Sequence, residues 1–128
     1  MTNVLILDTS EEVMSKKLSI RTEYGAWPIW DVDYFGYIDP AQLPLAEDTV
    51  KRLLTWQMTL DTTLDEEYPP NSGFSSEDER IAWRQEGIVL WQQVQKELEP
   101  EYEVYYYLYY NGKQYFLRHL EDLKQFPL

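Results

Sequence analysis

Apolar residues recur at helical spacing in two long stretches of the chain. The first stretch predicts a helix from about Leu45 to about Thr63, and the second predicts a helix that runs to about Leu98. The prolines, asparagine and glycine of Asp65–Phe74 predict a loop between them. Because this loop is short, we expect the two helices to form an antiparallel pair.

The start of the second helix carries a capping signal. Ser76 and Glu79 have the spacing of a capping box, and Ser75 with Asp78 offers an alternative register. Further along, Gly87 interrupts the helix at a cost of roughly 1 kcal/mol relative to alanine. A residue without a side chain at this position indicates that another element approaches the helix closely.

The C-terminal part of the chain is rich in tyrosine and predicts a β-hairpin. Asn111 and Gly112, between two runs of β-forming residues, give the strongest short hairpin signal. A two-residue turn predicts the cross-strand pairs Tyr110–Lys113, Leu108–Tyr115, Tyr106–Leu117 and Val104–His119. The opposite face would carry Tyr105, Tyr107, Tyr109 and Phe116. Since both faces are largely aromatic, at least one of them must be covered by another element.

The N-terminal third predicts strands and packed loops. Asn3–Leu7 is branched and apolar and predicts a short buried strand, and Lys16–Tyr24 alternates like a second strand. The prolines and glycines of Gly25–Pro44 predict an irregular segment laid over the core. Its large apolar side chains are expected to be packed away from water: Trp27, Ile29, Trp30, Tyr34 and Phe35.

These elements together predict one α+β domain over residues 1–128. We expect an antiparallel helical hairpin packed on a small antiparallel sheet that includes the C-terminal Tyr-rich β-hairpin. The N-terminal strand is a candidate member of that sheet, and the tail from Glu121 to Leu128 is expected to add one turn. A chain of 128 residues suits one modest core.

Charge and cysteine content narrow the functional classes. The net charge of −12 disfavours binding to nucleic acid or to an anionic membrane and favours a basic protein partner. The absence of cysteine excludes disulfides, a thiol nucleophile and thiolate metal sites. The N-terminal run VLIL is short and follows no basic residue, and no apolar run is long enough to span a bilayer, so we expect a cytoplasmic protein.

The stretch Asp31–Gln42 resembles a calcium loop in its first, third, sixth and ninth positions. It lacks ligands where such a loop needs them, because Phe35 holds the fifth position and Gln42 the twelfth. We therefore predict no metal and no cofactor. The acids Asp31 and Asp39 are predicted to form turns instead, as is Asp33.

No catalytic constellation stands out. His119 is the only histidine and falls inside a predicted strand, and no glycine-rich phosphate loop is present. The sequence therefore predicts that the protein is not an enzyme. A small carboxylate-dependent enzyme, with or without a divalent metal, is the alternative that so many acidic residues leave open.

The acidic residues are concentrated between Asp61 and Glu79, a span without lysine or arginine. In the predicted helical hairpin they gather at one tip, where mutual repulsion costs stability. Such crowding indicates a cationic partner, although helix-start acids that serve the helix dipole would account for the last three. The predicted partner-binding residues are Asp61, Asp65, Glu66, Glu67, Tyr68, Glu77 and Asp78, with Tyr68 as a rigid apolar anchor.

The order of the segments GAWPIWD, IDPAQLPL, VKRLLTWQ, GFSSEDERIAWRQEGIVLWQQVQKEL and YEVYYY, over about residues 25–107, resembles a loose group of small bacterial proteins. In size and charge the chain is also similar to the immunity proteins that neutralise bacterial nuclease toxins, including those of contact-dependent inhibition systems. The resemblance implies a cytosolic, non-enzymatic inhibitor that blocks the toxin's basic active site with acids and aromatic side chains. A structural or adaptor subunit that uses the Tyr-rich hairpin as an edge is a further alternative.

Overall fold

Two long helices and five strands form the part of the chain that the computed structural model describes, residues 16–34 and 36–127. The strands are β1 Lys17–Ile20, β2 Ile29–Asp31, β3 Tyr37–Ile38, β4 Glu103–Tyr110 and β5 Lys113–Leu117. The helices are α1 Glu47–Asp61 and α2 Glu77–Leu98, with shorter 3₁₀ helices at Pro40–Gln42, Pro69–Asn71 and Leu120–Gln125. The predicted α+β class is confirmed. The predicted strand Asn3–Leu7 lies outside the described residues, among which no helix has the length and apolar character needed to cross a membrane.

The strands form one sheet in the order β3-β2-β1-β4-β5. β1 and β4 pair in parallel, with Leu18 opposite Val104, whereas the other neighbouring strands are antiparallel. The sheet is therefore mixed, where the sequence predicted antiparallel pairing throughout. The physical reason is the connection: the chain reaches β4 through both helices, and such a long crossover permits parallel pairing that a tight hairpin turn forbids.

The helical hairpin covers one face of the sheet and shares its core. Trp91 of α2 is fully buried, and its ring lies 5.3 Å from that of Tyr106 between centroids. Its indole N–H donates to the carbonyl oxygen of Val104 at 3.2 Å. Leu18 from β1 and Leu53 from α1 are fully buried in the same cluster. Burial of apolar surface from both layers fixes the position of the helices relative to the sheet.

Gly87 allows the two helices to approach closely, as its position in the sequence predicted. A methyl group added at Gly87 would lie 2.2 Å from Cζ2 of Trp56 in α1. The Trp56 ring stacks on Trp83 with centroids 4.9 Å apart. Each of these indole N–H groups donates to the main-chain carbonyl of the other residue at 2.9 Å. The group that approaches α2 at Gly87 is therefore the indole of Trp56, which its stacking and hydrogen bonds hold in place.

The C-terminal hairpin has the register that the Asn-Gly turn predicted. The confirmed pairs are Tyr110–Lys113, Leu108–Tyr115 and Tyr106–Leu117. The predicted pair of Val104 with His119 is wrong, because β5 ends at Leu117. The carboxylate of Asp122 accepts from the backbone N–H groups of Arg118 at 3.3 Å and His119 at 3.0 Å, which turns the chain into the predicted final turn.

The aromatic segment between β1 and α1 is only partly packed. Ile29 is fully buried, as predicted, but Trp27 and Tyr34 are 42% and 57% exposed, so that prediction is wrong for both. The Trp27 ring packs edge-on against Tyr37, with ring centroids 5.8 Å apart. Tyr37 lies on the edge strand β3 and is itself half-exposed, so this contact covers only part of the indole. Phe35 lies outside the described residues.

The segment that resembles a calcium loop is a pair of turns. Oδ1 of Asp31 accepts from the backbone N–H groups of Asp33 at 3.0 Å and Tyr34 at 2.9 Å. Oδ1 of Asp39 accepts from the N–H of Ala41 at 2.9 Å. The predicted role of both carboxylates in turns is confirmed. Over residues 16–34 and 36–127, no three His, Asp or Glu side chains are grouped so as to hold a metal ion.

Candidate partner-binding site

The seven clustered acids lie where the helical hairpin turns, on residues 61–79, which we call the hairpin tip. Asp65 organises this turn. Its Oδ1 accepts from the N–H groups of Glu67 at 3.1 Å and Tyr68 at 2.9 Å, and its Oδ2 accepts from the amide of Asn71 at 3.3 Å. These bonds favour the ionised carboxylate, so they lower the pKa of Asp65, with the N–H of Tyr68 contributing most.

The order of this turn is expected to depend on pH. A lowered folded-state pKa means that the ionised Asp65 stabilises the turn fully above its ordinary value of 3.8 and that this contribution is lost as pH falls below it. An NMR pH titration of the Glu67 and Tyr68 amides should therefore show a midpoint below 3.8. Asn71→Ala removes one donor and should move that midpoint upward. A midpoint at or above 3.8 in the unaltered protein would contradict this assignment.

Asp61 is half-buried, and its carboxylate is held by partners from the fold. Its Oδ1 accepts from the N–H of Gly25 at 2.9 Å and from the side-chain amide of Gln57 at 3.0 Å. Nearby, the hydroxyls of Tyr24 and Thr63 lie 2.9 Å apart in a hydrogen bond. Asp61 therefore joins the end of α1 to the loop between β1 and β2, which explains an acid at a helix C-terminus where the dipole disfavours it.

The acids at the start of α2 are partly neutralised. The hydroxyl of Ser76 accepts from the N–H of Glu79 at 3.1 Å, which confirms the first of the two predicted capping registers. The Glu79 carboxylate accepts from the hydroxyl of Ser75 at 2.6 Å. Glu77 pairs with Arg80, whose hydrogen bonds lower the pKa of Glu77. The negative potential of the hairpin tip is therefore smaller than its count of acids indicates.

Three carboxylates of the hairpin tip remain available: Glu66, Glu67 and Asp78. All are exposed, and within the described residues they make no hydrogen bond or ion pair through their carboxylates. Tyr68 follows Glu67 directly and is 63% exposed. An unpaired acid and an exposed phenol ring on one loop can meet a cationic surface with both charge and apolar area.

An apolar patch lies beside Asp61 that the sequence analysis missed. Trp27, Tyr37, Leu54 and Met58 line a shallow surface recess there. Met58 is 63% exposed on α1. The prediction that Trp27 is packed concealed this patch, although Leu54 and Met58 are four residues apart and therefore share one side of α1.

An acidic α+β fold that presents unpaired carboxylates beside exposed aromatic rings is typical of a protein that binds another protein. A family model described as Serratia CdiI immunity protein-like matches residues 16–109. The chain belongs to this Serratia CdiI immunity protein-like family, which confirms the resemblance seen in the sequence. A search of curated proteins gave no match. Membership supports an immunity function, suggests a non-enzymatic inhibitor and implies a toxin as the partner.

Proposed function

We propose that the protein neutralises its cognate bacterial toxin by placing the hairpin tip over the toxin's basic active site in the cytoplasm. The observation that carries this proposal is the group of exposed carboxylates at Glu66, Glu67 and Asp78, which have no partner among the described residues and lie beside the exposed ring of Tyr68. The net charge of −12 adds a long-range attraction for a basic protein and repels nucleic acid and anionic membranes.

The residues of the hairpin tip have different roles in this proposal. Glu66, Glu67 and Asp78 face cationic side chains of the toxin, and Tyr68 is the rigid anchor that excludes water from these contacts. Asp61 and Asp65 hold the loop in shape through their backbone partners. Glu77 contributes less because Arg80 already neutralises it.

A nuclease-type toxin fits this surface best. A nuclease site that binds a polyanionic strand presents lysine and arginine, and these cations would accept carboxylates in place of phosphates. The protein and the nucleic-acid substrate would then occupy the same surface of the toxin and exclude one another.

The test uses the purified protein and its cognate toxin domain. We expect one equivalent of the protein to abolish the toxin's activity and to displace a labelled, uncleaved oligonucleotide from it. The displacement should weaken as salt rises, because the attraction between the surfaces is screened. A stable complex in which the oligonucleotide still binds would show that the active site is not the surface covered.

A further inference from the structure

A shallow recess of about 610 Å³ adjoins the hairpin tip at the β3 edge of the sheet. Leu54 and Met58, about one turn apart on α1, line it together with the rings of Trp27 and Tyr37. Asp61, the first residue of the hairpin tip, lines it a further turn along α1. The recess therefore combines apolar side chains, two aromatic rings and one carboxylate.

Contacts around the recess hold these residues next to one another. The N–H of Gly25 donates to Oδ1 of Asp61 at 2.9 Å, which joins the loop before β2 to the end of α1. Trp27 lies two residues further along that loop, and its ring contacts that of Tyr37. Both rings and the Met58 side chain are exposed. A partner that covers the end of α1 can therefore reach the rings, the thioether and the carboxylate together.

The Asp61 carboxylate has one oxygen that no donor uses. Its Oδ1 accepts from Gly25 and from the side-chain amide of Gln57. Its Oδ2 makes no hydrogen bond or ion pair within the described residues, and it keeps contact with solvent. Among the described residues that line the recess there is no lysine, arginine or histidine. The negative charge at this end of the recess is therefore not compensated locally.

A second oxygen of the recess also lacks a donor. Gln57 lines the recess and is only 5% exposed. Its Nε2 donates to the carbonyl oxygen of Glu23 at 2.7 Å and to Asp61 at 3.0 Å, and because both partners are acceptors, the orientation of the amide is fixed. Its Oε1 is buried without a partner among the described residues. Such an oxygen destabilises the free protein, and a cation held in the recess would offset part of that cost.

We propose that this recess binds one arginine side chain of the toxin, an assignment that rests on the proposed function. The guanidinium donates to Oδ2 of Asp61 and lies against the rings of Trp27 and Tyr37, and its methylene stem packs on Leu54 and Met58. Arginine fits better than lysine, because a guanidinium is more weakly hydrated than an ammonium group and stacks on aromatic rings. A bare metal ion would leave the apolar part of the recess unused.

The recess gives the complex a selectivity that the hairpin tip lacks. The exposed carboxylates Glu66, Glu67 and Asp78 attract any basic surface, because charge acts at long range. The recess accepts only a cation on an apolar stem that arrives beside Asp61. Arginine is common among the few interface residues that dominate binding, so a single anchored guanidinium would orient the toxin on the tip and disfavour toxins that lack it.

A probe that carries one side chain tests the recess without the toxin. Nα-acetyl-arginine methylamide is titrated into the labelled protein, and the Trp27 indole N–H and the Met58 methyl group are followed by NMR. The citrulline derivative is the neutral isostere, and the lysine derivative carries the same charge without the planar group. We expect saturable shifts with the arginine derivative, weaker binding of the lysine derivative and no shifts with the citrulline derivative.

Variants of the protein locate the probe. Asp61→Asn should weaken the arginine derivative about fivefold, the upper range for a partly exposed charge pair. Its amide oxygen can still accept from the Gly25 N–H, so the loop is retained. Asp48→Asn removes an exposed acid near the start of the same helix and should leave binding unchanged. If Asp61→Asn does not fold, Trp27→Leu, followed through the Met58 methyl group, should weaken binding about threefold because a cation–π contact is lost.

The probe can overturn the recess as an arginine site in three ways: no shifts with the arginine derivative, equal binding of the citrulline or lysine derivative, or equal affinity of Asp61→Asn and the unaltered protein. In the toxin complex, Asp61→Asn and Trp27→Leu should each raise the dissociation constant, whereas Asp48→Asn should not. If the probe binds but both recess variants leave the toxin complex unchanged, an arginine of the toxin is excluded as the occupant.

The recess and the hairpin tip can fail separately. The tip is tested by Glu66→Gln, Glu67→Gln and Asp78→Asn together. If the tip variant weakens the toxin complex and the recess variants do not, the proposed function stands and the recess inference fails. If only the recess variants weaken the complex, the toxin docks on the recess and the proposed role of the tip fails.

Discussion

Gly87→Ala is expected to lower the free energy of unfolding by about 1–3 kcal/mol, the usual cost of forcing an extra carbon into a packed interior. Alanine is the better helix former by about 1 kcal/mol, so helix propensity alone predicts the opposite sign. The new methyl group would lie 2.2 Å from Cζ2 of Trp56, which is 4% exposed. The indole cannot move aside easily, because it is stacked on Trp83 and hydrogen-bonded to its carbonyl.

A double-mutant cycle isolates this contact. Trp56→Phe lacks the fused ring that carries Cζ2, so the cost of Gly87→Ala should fall below about 1 kcal/mol in that background, or change sign as helix propensity takes over. Gln85→Ala on the exposed side of α2 is the matched control and should shift stability by no more than about 0.5 kcal/mol. Urea unfolding of the four variants measures these values. Equal costs of Gly87→Ala in both backgrounds would mean that Trp56 is not the obstacle.

Local signals in the sequence predicted most of the helical and hairpin structure. The apolar spacing located both helices, Ser76 located the start of α2, and the Asn-Gly turn set the register of β4 against β5. Each of these signals acts between residues that are close in the chain, so its effect can be predicted without knowledge of the fold. The glycine at position 87 belongs to the same group, because a missing side chain in a helix implies a close neighbour.

Contacts between distant parts of the chain were harder to predict from the sequence. The parallel pairing of β1 with β4 joins Leu18 to Val104 across both helices, and nothing local sets its direction. A partner 86 residues away in the chain therefore decided between parallel and antiparallel pairing, which the local sequence left open.

The roles of the acidic residues in the hairpin tip could also be predicted only in part from the sequence. Counting acids predicted the cluster, but the count did not distinguish carboxylates that organise the fold from those that face solvent. Asp61 uses a backbone N–H from the loop after β1, which only the folded chain brings near. The role of Asp65 was easier to predict, because an aspartate shortly before a Pro-Pro-Asn turn is typical of a carboxylate that accepts backbone N–H groups.

Neutralising the three free carboxylates of the hairpin tip is expected to weaken the toxin complex about tenfold or more at low salt. The change is Glu66→Gln, Glu67→Gln and Asp78→Asn together. Each carboxylate lost removes part of the attraction that steers the partners together, so the association rate should fall more than the dissociation rate rises. These carboxylates have no partners within the described residues, so the stability of the free protein should change little.

A second triple variant separates local contacts from net charge. Asp33→Asn, Glu101→Gln and Glu121→Gln remove the same three charges at exposed positions outside the hairpin tip. Long-range attraction depends on the total charge, so this control should lose only a small part of the association rate. Salt at about 1 M, where charges are screened within about 3 Å, should reduce the difference in association rate between the two triple variants.

The dissociation constant of the toxin complex for these two triple variants, measured side by side at low salt, tests the central claim most directly. Docking through the hairpin tip predicts a loss of about tenfold or more for the tip variant and little change for the control. Equal affinities of the two variants, or a larger loss in the control, would contradict a toxin-binding role for Glu66, Glu67 and Asp78.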